Sequence, residues 1–286
     1  MVDETIEQLS QEVDAQTKLR DGAPASHESF DRLIRVVWRL VQPDGCPWDR
    51  KQTHKSIAKN MIEEAYEAVD AIEKDDVDSL REELGDVLLQ VVLHAQIGQK
   101  NQEFCIDDIC EDLEEKLIRR HPHVFAQTAH ADNAQEVLNI WDNVKDAERK
   151  SQSTQEAKIG LLDSIPPTFP ALMQAQKVSK RAAKVGFDWE CIDDVWDKVA
   201  EEKAEFLAEP KGSAQAEEEF GDLLFALVNV ARVEGIDAEG ALRKATSKFR
   251  GRFASMEAEA DKQGSALGDM SFEKLNELWD LAKIRD

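Results

Sequence analysis

Apolar residues recur at intervals of three and four along much of the chain, which is the period of an amphipathic α-helix. One stripe of this kind contains five residues, Ile57, Met61, Ala65, Val69 and Ile72. The next segment is apolar on nearly every side from Val87 to Leu93, which predicts a helix that is buried on most sides. Leu223–Val230 repeats this pattern. Because the alternation typical of strands is nearly absent, the sequence predicts an all-α fold.

Two parts of the chain repeat each other in the same order. Residues 81–89 read REELGDVLL, and residues 217–225 read EEEFGDLLF. An E-E-x-x-E segment precedes each of them, at residues 63–67 and 201–205, and a W-x-x-x-K segment closes each half. Matching features are 136 to 138 residues apart. A fixed separation of this length indicates a duplicated domain.

The repeat predicts four parts of the chain. They are a polar N-terminal extension (residues 1–27), an N-terminal domain (28–150), a polar linker (151–160) and a C-terminal domain (161–286). Each domain contains about four segments with the helical period, which is typical of a four-helix bundle.

The chain is strongly acidic. Among 286 residues, 59 are Asp or Glu and 36 are Lys or Arg, which gives a formal net charge of −23. Nucleic-acid binding and docking on anionic membranes both depend on clustered basic residues, so the charge argues against these two partners. No apolar stretch approaches the roughly 18 residues that a membrane span needs.

The four cysteines form no C-x-x-C pair. This spacing argues against a zinc site or a disulfide framework, and it indicates a reducing compartment. We therefore expect a cytoplasmic protein.

Acidic residues three apart lie on the same face of a helix. The first repeat has two such pairs, on helices that we expect to be neighbours, so four carboxylates can converge at the edge of each core. They are Glu64, Glu67, Glu83 and Asp86 in the first half, and Glu202, Glu205, Glu219 and Asp222 in the second. Oxygen-only ligands suit a hard cation, Mg²⁺ or Mn²⁺. Solvated acidic helix faces are the alternative, but the joint pattern in both halves favours the metal site.

Other motifs join these acidic segments to form a specific resemblance. They are Cys46–Asp49 (CPWD), Gln52–His54 (QTH), Arg120–Phe125 (RHPHVF) and Val185–Trp189 (VGFDW). With them, about residues 28–286 resemble the MazG family of nucleoside triphosphate pyrophosphohydrolases.

The resemblance implies a fold of two tandem MazG-like four-helix domains and a homodimer. It also implies Mg²⁺-dependent cleavage of NTPs or dNTPs between the α- and β-phosphates, giving a nucleoside monophosphate and pyrophosphate. In the second half the four carboxylates would bind the metal, Glu202 would also take part in catalysis, and Glu201 is one candidate for the general base.

A triphosphate also needs cationic partners. Lys198 lies one helical turn before Glu202, and Lys248 lies one turn before Arg252. The resemblance places these three cations, with Trp279, in the nucleotide site. From the residues alone, each cation could equally be a solvated surface charge, and a Trp on an amphipathic helix is more often part of the core.

The first half departs from this set. Asn60 stands where Lys198 would be, and Val124 stands opposite Arg252. We expect the C-terminal half to be the main hydrolase, with Lys116, Arg120 and Lys145 as partial substitutes in the first half.

Two alternatives to this function remain open. One is a more selective relative, such as a dUTP or phosphoribosyl-ATP pyrophosphohydrolase. The other is a nucleotide-sensing or partner-binding scaffold with little turnover.

Overall fold

The long elements of the protein are all α-helices. The computed structural model describes these residues: 3–125, 131–134, 136–138, 140, 141, 144, 148 and 160–285. This part of the chain contains no strand, which confirms the predicted all-α fold class. It also contains no helix that is long and apolar enough to cross a membrane.

The chain divides into two compact units, Met1–Gln152 and Ser153–Asp286. Apart from Gly160, the predicted linker at residues 151–160 lies outside the described residues. The exact limits of the two domains therefore stay a prediction.

The first unit is built from six described helices. They are α1 (Asp3–Lys18), α2 (Glu28–Val41), α3 (His54–Glu73), α4 (Val77–Asn101), α5 (Ile106–Arg120) and the short α6 (Pro122–Phe125). Helix α1 lies entirely within the predicted polar extension, and it packs against α5, where Ser10 donates a hydrogen bond to Glu114. The extension is therefore part of the first unit rather than a free tail.

Polar caps fix where α3 and α4 begin. The Thr53 hydroxyl accepts a hydrogen bond from the Ser56 backbone N–H at 3.2 Å, and the Ser56 hydroxyl lies 2.9 Å from the Thr53 backbone N–H. Asp76 accepts from the backbone N–H of Ser79 at 3.1 Å. Such caps satisfy N–H groups that have no partner within the helix. They fix the first turns of the two helices that carry the acidic residues.

Helices α2, α3 and α4 enclose the core of the first unit. Its buried residues are Val37, Ile57, Val92, Leu93 and Ile97. The second half of α4 is buried along most of its length, as its apolar sequence predicts.

The second unit is built from α7 (Ala171–Ala183), α8 (Ile192–Ala208), α9 (Ala214–Val233), α10 (Ala238–Lys262) and α11 (Phe272–Arg285). Helix α9 packs along α8 and contacts α7, while α11 packs against α10. Met256, Ala260, Leu278 and Ala282 form a buried cluster between α10 and α11.

Two apolar surfaces are more exposed in the single chain than the pattern predicts. On α3, Met61 is 38% exposed and Ile72 is 55% exposed, whereas Ala68 and Ala71 are buried. On α9, three neighbouring side chains are about two-fifths exposed: Leu224, Phe225 and Leu227. Periodicity identifies apolar faces, but it does not say whether the same chain covers them.

Candidate functional site

Helices α3 and α4 bring three carboxylates of the first unit together. Glu64 on α3 and Glu83 and Asp86 on α4 each place one oxygen within 4.8 Å of the others. All three side chains are half-buried. Burial, and then the charge of Asp86, raises the pKa of Glu64. The three carboxylates therefore repel one another when they are ionised.

Glu67 borders this cluster. It is exposed one turn after Glu64, outside the group of three. Burial of Glu83 raises the pKa of its carboxyl, and the charge of Glu67 is the next largest cause. The structure thus places all four predicted carboxylates of the first unit side by side, three of them in one group.

Helices α8 and α9 build an equivalent cluster in the second unit. Glu202 and Glu205 on α8 and Glu219 on α9 have oxygens within 4.8 Å of one another. Burial and the charges of Glu205, Glu202 and Asp222 raise the pKa of Glu219. Asp222 therefore lies outside this group of three but close enough for its charge to act on Glu219, as Glu67 acts on Glu83 in the first unit.

A lysine distinguishes the second cluster from the first. The Nζ atom of Lys198 lies 2.7 Å from Oε1 of Glu202 and 2.8 Å from Oε1 of Glu201. Hydrogen bonds to Glu201 and then Glu202 raise the pKa of Lys198. Glu202 is only 6% exposed, so this cation balances a carboxylate that is otherwise buried among acids.

The first unit lacks this balance. Asn60 occupies the position equivalent to Lys198, and no Lys or Arg of the described residues forms an ion pair with Glu64, Glu83 or Asp86. Arg120 is bound elsewhere, because its Nη2 lies 2.8 Å from Oε2 of Glu148. Lys116 is half-buried, and Lys145 lies outside the described residues.

The other predicted nucleotide contacts lie on α10 and α11. The guanidinium of Arg252 lies 5.7 Å from the ring centroid of Trp279, a cation–π distance, and Phe249 packs against the same ring at 5.0 Å. Trp279 is half-buried and also packs on the cluster between the two helices. Lys248 is exposed one turn before Arg252. Trp279 therefore contributes to the core, and its contact with a nucleotide stays a prediction.

Each acidic pair of α4 and α9 encloses a glycine. A Cβ atom added to Gly85 or Gly221 would meet nothing within 4 Å. Glycine in a helix interior costs about 1 kcal/mol relative to Ala. Close packing of another helix does not explain that cost here, since none of the described helices approaches these two glycines closely. The space beside Asp86 and Asp222 is open.

The CPWD and QTH motifs shape the connection between α2 and α3. The backbone N–H of Cys46 bonds to the Leu40 carbonyl at 2.7 Å, and Gln52 accepts from the Ser56 hydroxyl at 2.7 Å. His54 lies 2.7 Å from His94, Nδ1 to Nδ1. Sequence reasoning missed this last pair, because 40 residues separate the two histidines and no periodicity relates them.

The chain is similar to known proteins over most of its length. A family model described as the MazG nucleotide pyrophosphohydrolase domain matches residues 52–125. Nucleoside triphosphate pyrophosphohydrolase/pyrophosphatase MazG of Thermotoga maritima is 45% identical over 90% of this chain and 96% of its own length. Nucleoside triphosphate pyrophosphohydrolase of Escherichia coli is 46% identical over 90% of this chain and 98% of its own length.

Proposed function

Because this chain belongs to the MazG family of nucleotide pyrophosphohydrolases, we propose that it hydrolyses nucleoside triphosphates, including deoxynucleoside triphosphates, between the α- and β-phosphates. The products are a nucleoside monophosphate and pyrophosphate, and the enzyme is a hydrolase that acts on phosphorus anhydrides. The observation that carries the proposal is the pair of carboxylate clusters at equivalent places in the two units. Removal of unwanted nucleotides from the cellular pool is the role that suits this reaction.

The residues of both clusters fit a divalent metal ion. Their donors are carboxylate oxygens only, which suits Mg²⁺ or Mn²⁺ better than a softer ion. Burial, and then the charges of neighbouring carboxylates, raise the pKa of Glu64 and of Glu219, so an added cation would relieve an existing electrostatic cost. When bound, the metal would supply Lewis acidity toward phosphoryl oxygens and would lower the pKa of water at the site.

Four residues would hold the ion in the second unit: Glu202, Glu205, Glu219 and Asp222. Glu201 is our candidate for the general base, because its carboxylate is exposed and lies 2.8 Å from Lys198. It also precedes the proposed metal ligand Glu202 in the chain, where it could accept a proton from water at the site.

Cations of the second unit would bind the phosphates. Lys198 lies beside the metal ligands, where it can turn from Glu202 toward a phosphate once a metal neutralises that carboxylate. Lys248 and Arg252 would supply further positive charge, and the Trp279 ring, which already faces Arg252, would offer an apolar surface to the nucleotide.

We place the main activity in the C-terminal unit. Its cluster has a lysine at 2.7 Å, whereas the equivalent position in the N-terminal unit is Asn60. The N-terminal cluster can still attract a cation, but it offers fewer contacts to a triphosphate.

Two single variants test this assignment. Glu202→Gln should abolish pyrophosphate release from NTPs, and Glu64→Gln should leave most of it. The matched controls are Glu218→Gln and Glu82→Gln, which remove exposed acids one residue before Glu219 and Glu83. Loss of activity in Glu64→Gln with activity retained in Glu202→Gln would reverse the assignment.

We also propose a homodimer. The exposed apolar side chains of α3 and α9 include Met61, Ile62 and Phe225, and apolar faces of this kind suit contact with a second copy. Light scattering should give twice the chain mass, and Phe225→Glu should shift it toward the monomer. A monomer for the unaltered chain would contradict the proposal.

The protein is proposed to act in the cytoplasm. All four cysteines are free thiols, which suits a reducing compartment. Fractionation of cells that carry a tagged chain tests this location.

A further inference from the structure

The first unit contains a cavity away from its carboxylates. It has a volume of 680 Å³ and lies between the end of α2, the segment before α3, and the end of α4. Its polar and aromatic lining includes Trp38, Gln42, Arg50, Lys51, Gln96 and Lys100. Gln96 and Lys100 lie 10 and 14 residues after Asp86 on α4. At 1.5 Å per residue, the cavity is about 15 to 21 Å from the cluster along the helix.

The charge of this cavity is opposite to that of the protein. Arg50, Lys51 and Lys100 line it, and no acidic residue does, although acids exceed bases by 59 to 36 in the whole chain. None of the three forms an ion pair with the part of the chain that the structure describes. Lys100 donates only to the Arg50 carbonyl, at 3.2 Å. The ends of α2 and α4 each add about half a negative charge, so three full positive charges still dominate.

A glutamine amide also lines this cavity without a hydrogen-bond partner among the described residues. Gln96 is 5% exposed and lines the cavity, yet its side chain makes no hydrogen bond to any described residue. The amide is therefore available to donate and accept hydrogen bonds with a ligand in the cavity.

The size and the aromatic wall favour one class of ligand. A volume of 680 Å³ lies within the usual range of small-molecule sites, about 300–1,000 Å³. Trp38 lines the cavity and is 48% exposed, so its ring is free to stack on a planar group. Three cations suit phosphates, and the amides suit the edge of a base.

We propose that this cavity binds a nucleotide through its phosphates without a metal ion, as a site separate from the carboxylate clusters. The phosphates contact Arg50, Lys51 and Lys100, and the base stacks on Trp38. Because the cations are supplied by the protein, binding does not depend on Mg²⁺. This distinguishes the cavity from a cluster of acids, which repels a triphosphate when no metal is bound.

Isothermal titration of the full chain with ATP in excess EDTA tests the proposal. We expect binding by the unaltered chain and at least tenfold weaker binding by the double variant Arg50→Gln/Lys100→Gln. Lys74→Gln, which removes an exposed cation of the same unit outside the cavity, should bind like the unaltered chain.

Two further titrations identify which part of the nucleotide is bound. Trp38→Leu should weaken the binding of ATP at least threefold and leave the binding of inorganic tripolyphosphate unchanged. Adenosine alone should bind the unaltered chain weakly. If the double variant loses its helical circular dichroism, Lys51→Gln serves the same comparison. No binding of ATP in EDTA, or equal binding by the cavity variants, overturns the proposal.

Discussion

Replacing Lys198 with alanine should destabilise the metal-free protein much more than the protein in Mg²⁺. Without a metal, Lys198 is the cation that contacts Glu202, at 2.7 Å. Its loss would leave that carboxylate near Glu205 and Glu219 with no ion-pair partner. With Mg²⁺ bound, the proposed metal would neutralise the same carboxylate, so the lysine would matter less for folding.

The burial of the two partners sets the size of this effect. The Glu202 side chain is 8% exposed, whereas the Lys198 side chain is 37% exposed. An exposed pair of this spacing contributes about 0.3–0.5 kcal/mol, and removing one partner of a buried pair costs about 3–5 kcal/mol. Because one partner is buried and the other is not, we expect a loss of about 1–2 kcal/mol in EDTA.

Urea unfolding followed by circular dichroism measures this difference directly. The matched control is Lys203→Ala, which removes an exposed lysine of the same helix that has no ion pair among the described residues. Saturating Mg²⁺ should reduce the cost of Lys198→Ala to less than about 0.5 kcal/mol. An equal cost with and without Mg²⁺ would refute the idea that lysine and metal neutralise the same carboxylate.

The remaining predictions concern stability. Arg232 donates two hydrogen bonds to Asp188, which hold the pKa of that carboxyl below its ordinary value of 3.8. The pair therefore stabilises the fold above about pH 4 and stops doing so as pH falls through the lowered pKa. Asp188→Asn should cost about 1 kcal/mol at pH 7 in urea titrations, a difference that narrows in acid. Gly221→Ala adds a Cβ to open space within a helix, so stability should rise by about 0.5–1 kcal/mol, and a fall would contradict this. Gly98→Ala would place a Cβ 2.8 Å from Phe104 and should lower stability by about 1–3 kcal/mol in the same assay.

Local rules were enough to predict much of the candidate site. Residues three apart share a helix face whatever the rest of the fold does, so Glu83 and Asp86 could be paired from the sequence. The repeat then related Glu64 and Glu202 as equivalent positions. The same periodicity predicted the all-α fold. An apolar stripe with a period of 3.6 residues lies on one face of a helix, whereas the side chains of a strand alternate with a period of two.

Features that depend on distant contacts could not be predicted in this way. Arg120 was expected to substitute in part for the missing phosphate contacts, and its ion pair with Glu148, 28 residues further along the chain, could not be predicted from local spacing. Arg50 and Lys100 meet at one cavity although 50 residues separate them. Met61 belongs to an apolar stripe, yet it is 38% exposed, since none of the described elements covers it fully.

Product analysis tests the central claim most directly. The chain should be incubated with each of the eight common NTPs and dNTPs, with Mg²⁺ and with EDTA, and its products separated. We predict nucleoside monophosphate and pyrophosphate in equal amounts, in Mg²⁺ only. Nucleoside diphosphate and orthophosphate, or no turnover of any nucleotide with Mg²⁺ or Mn²⁺, would contradict the account.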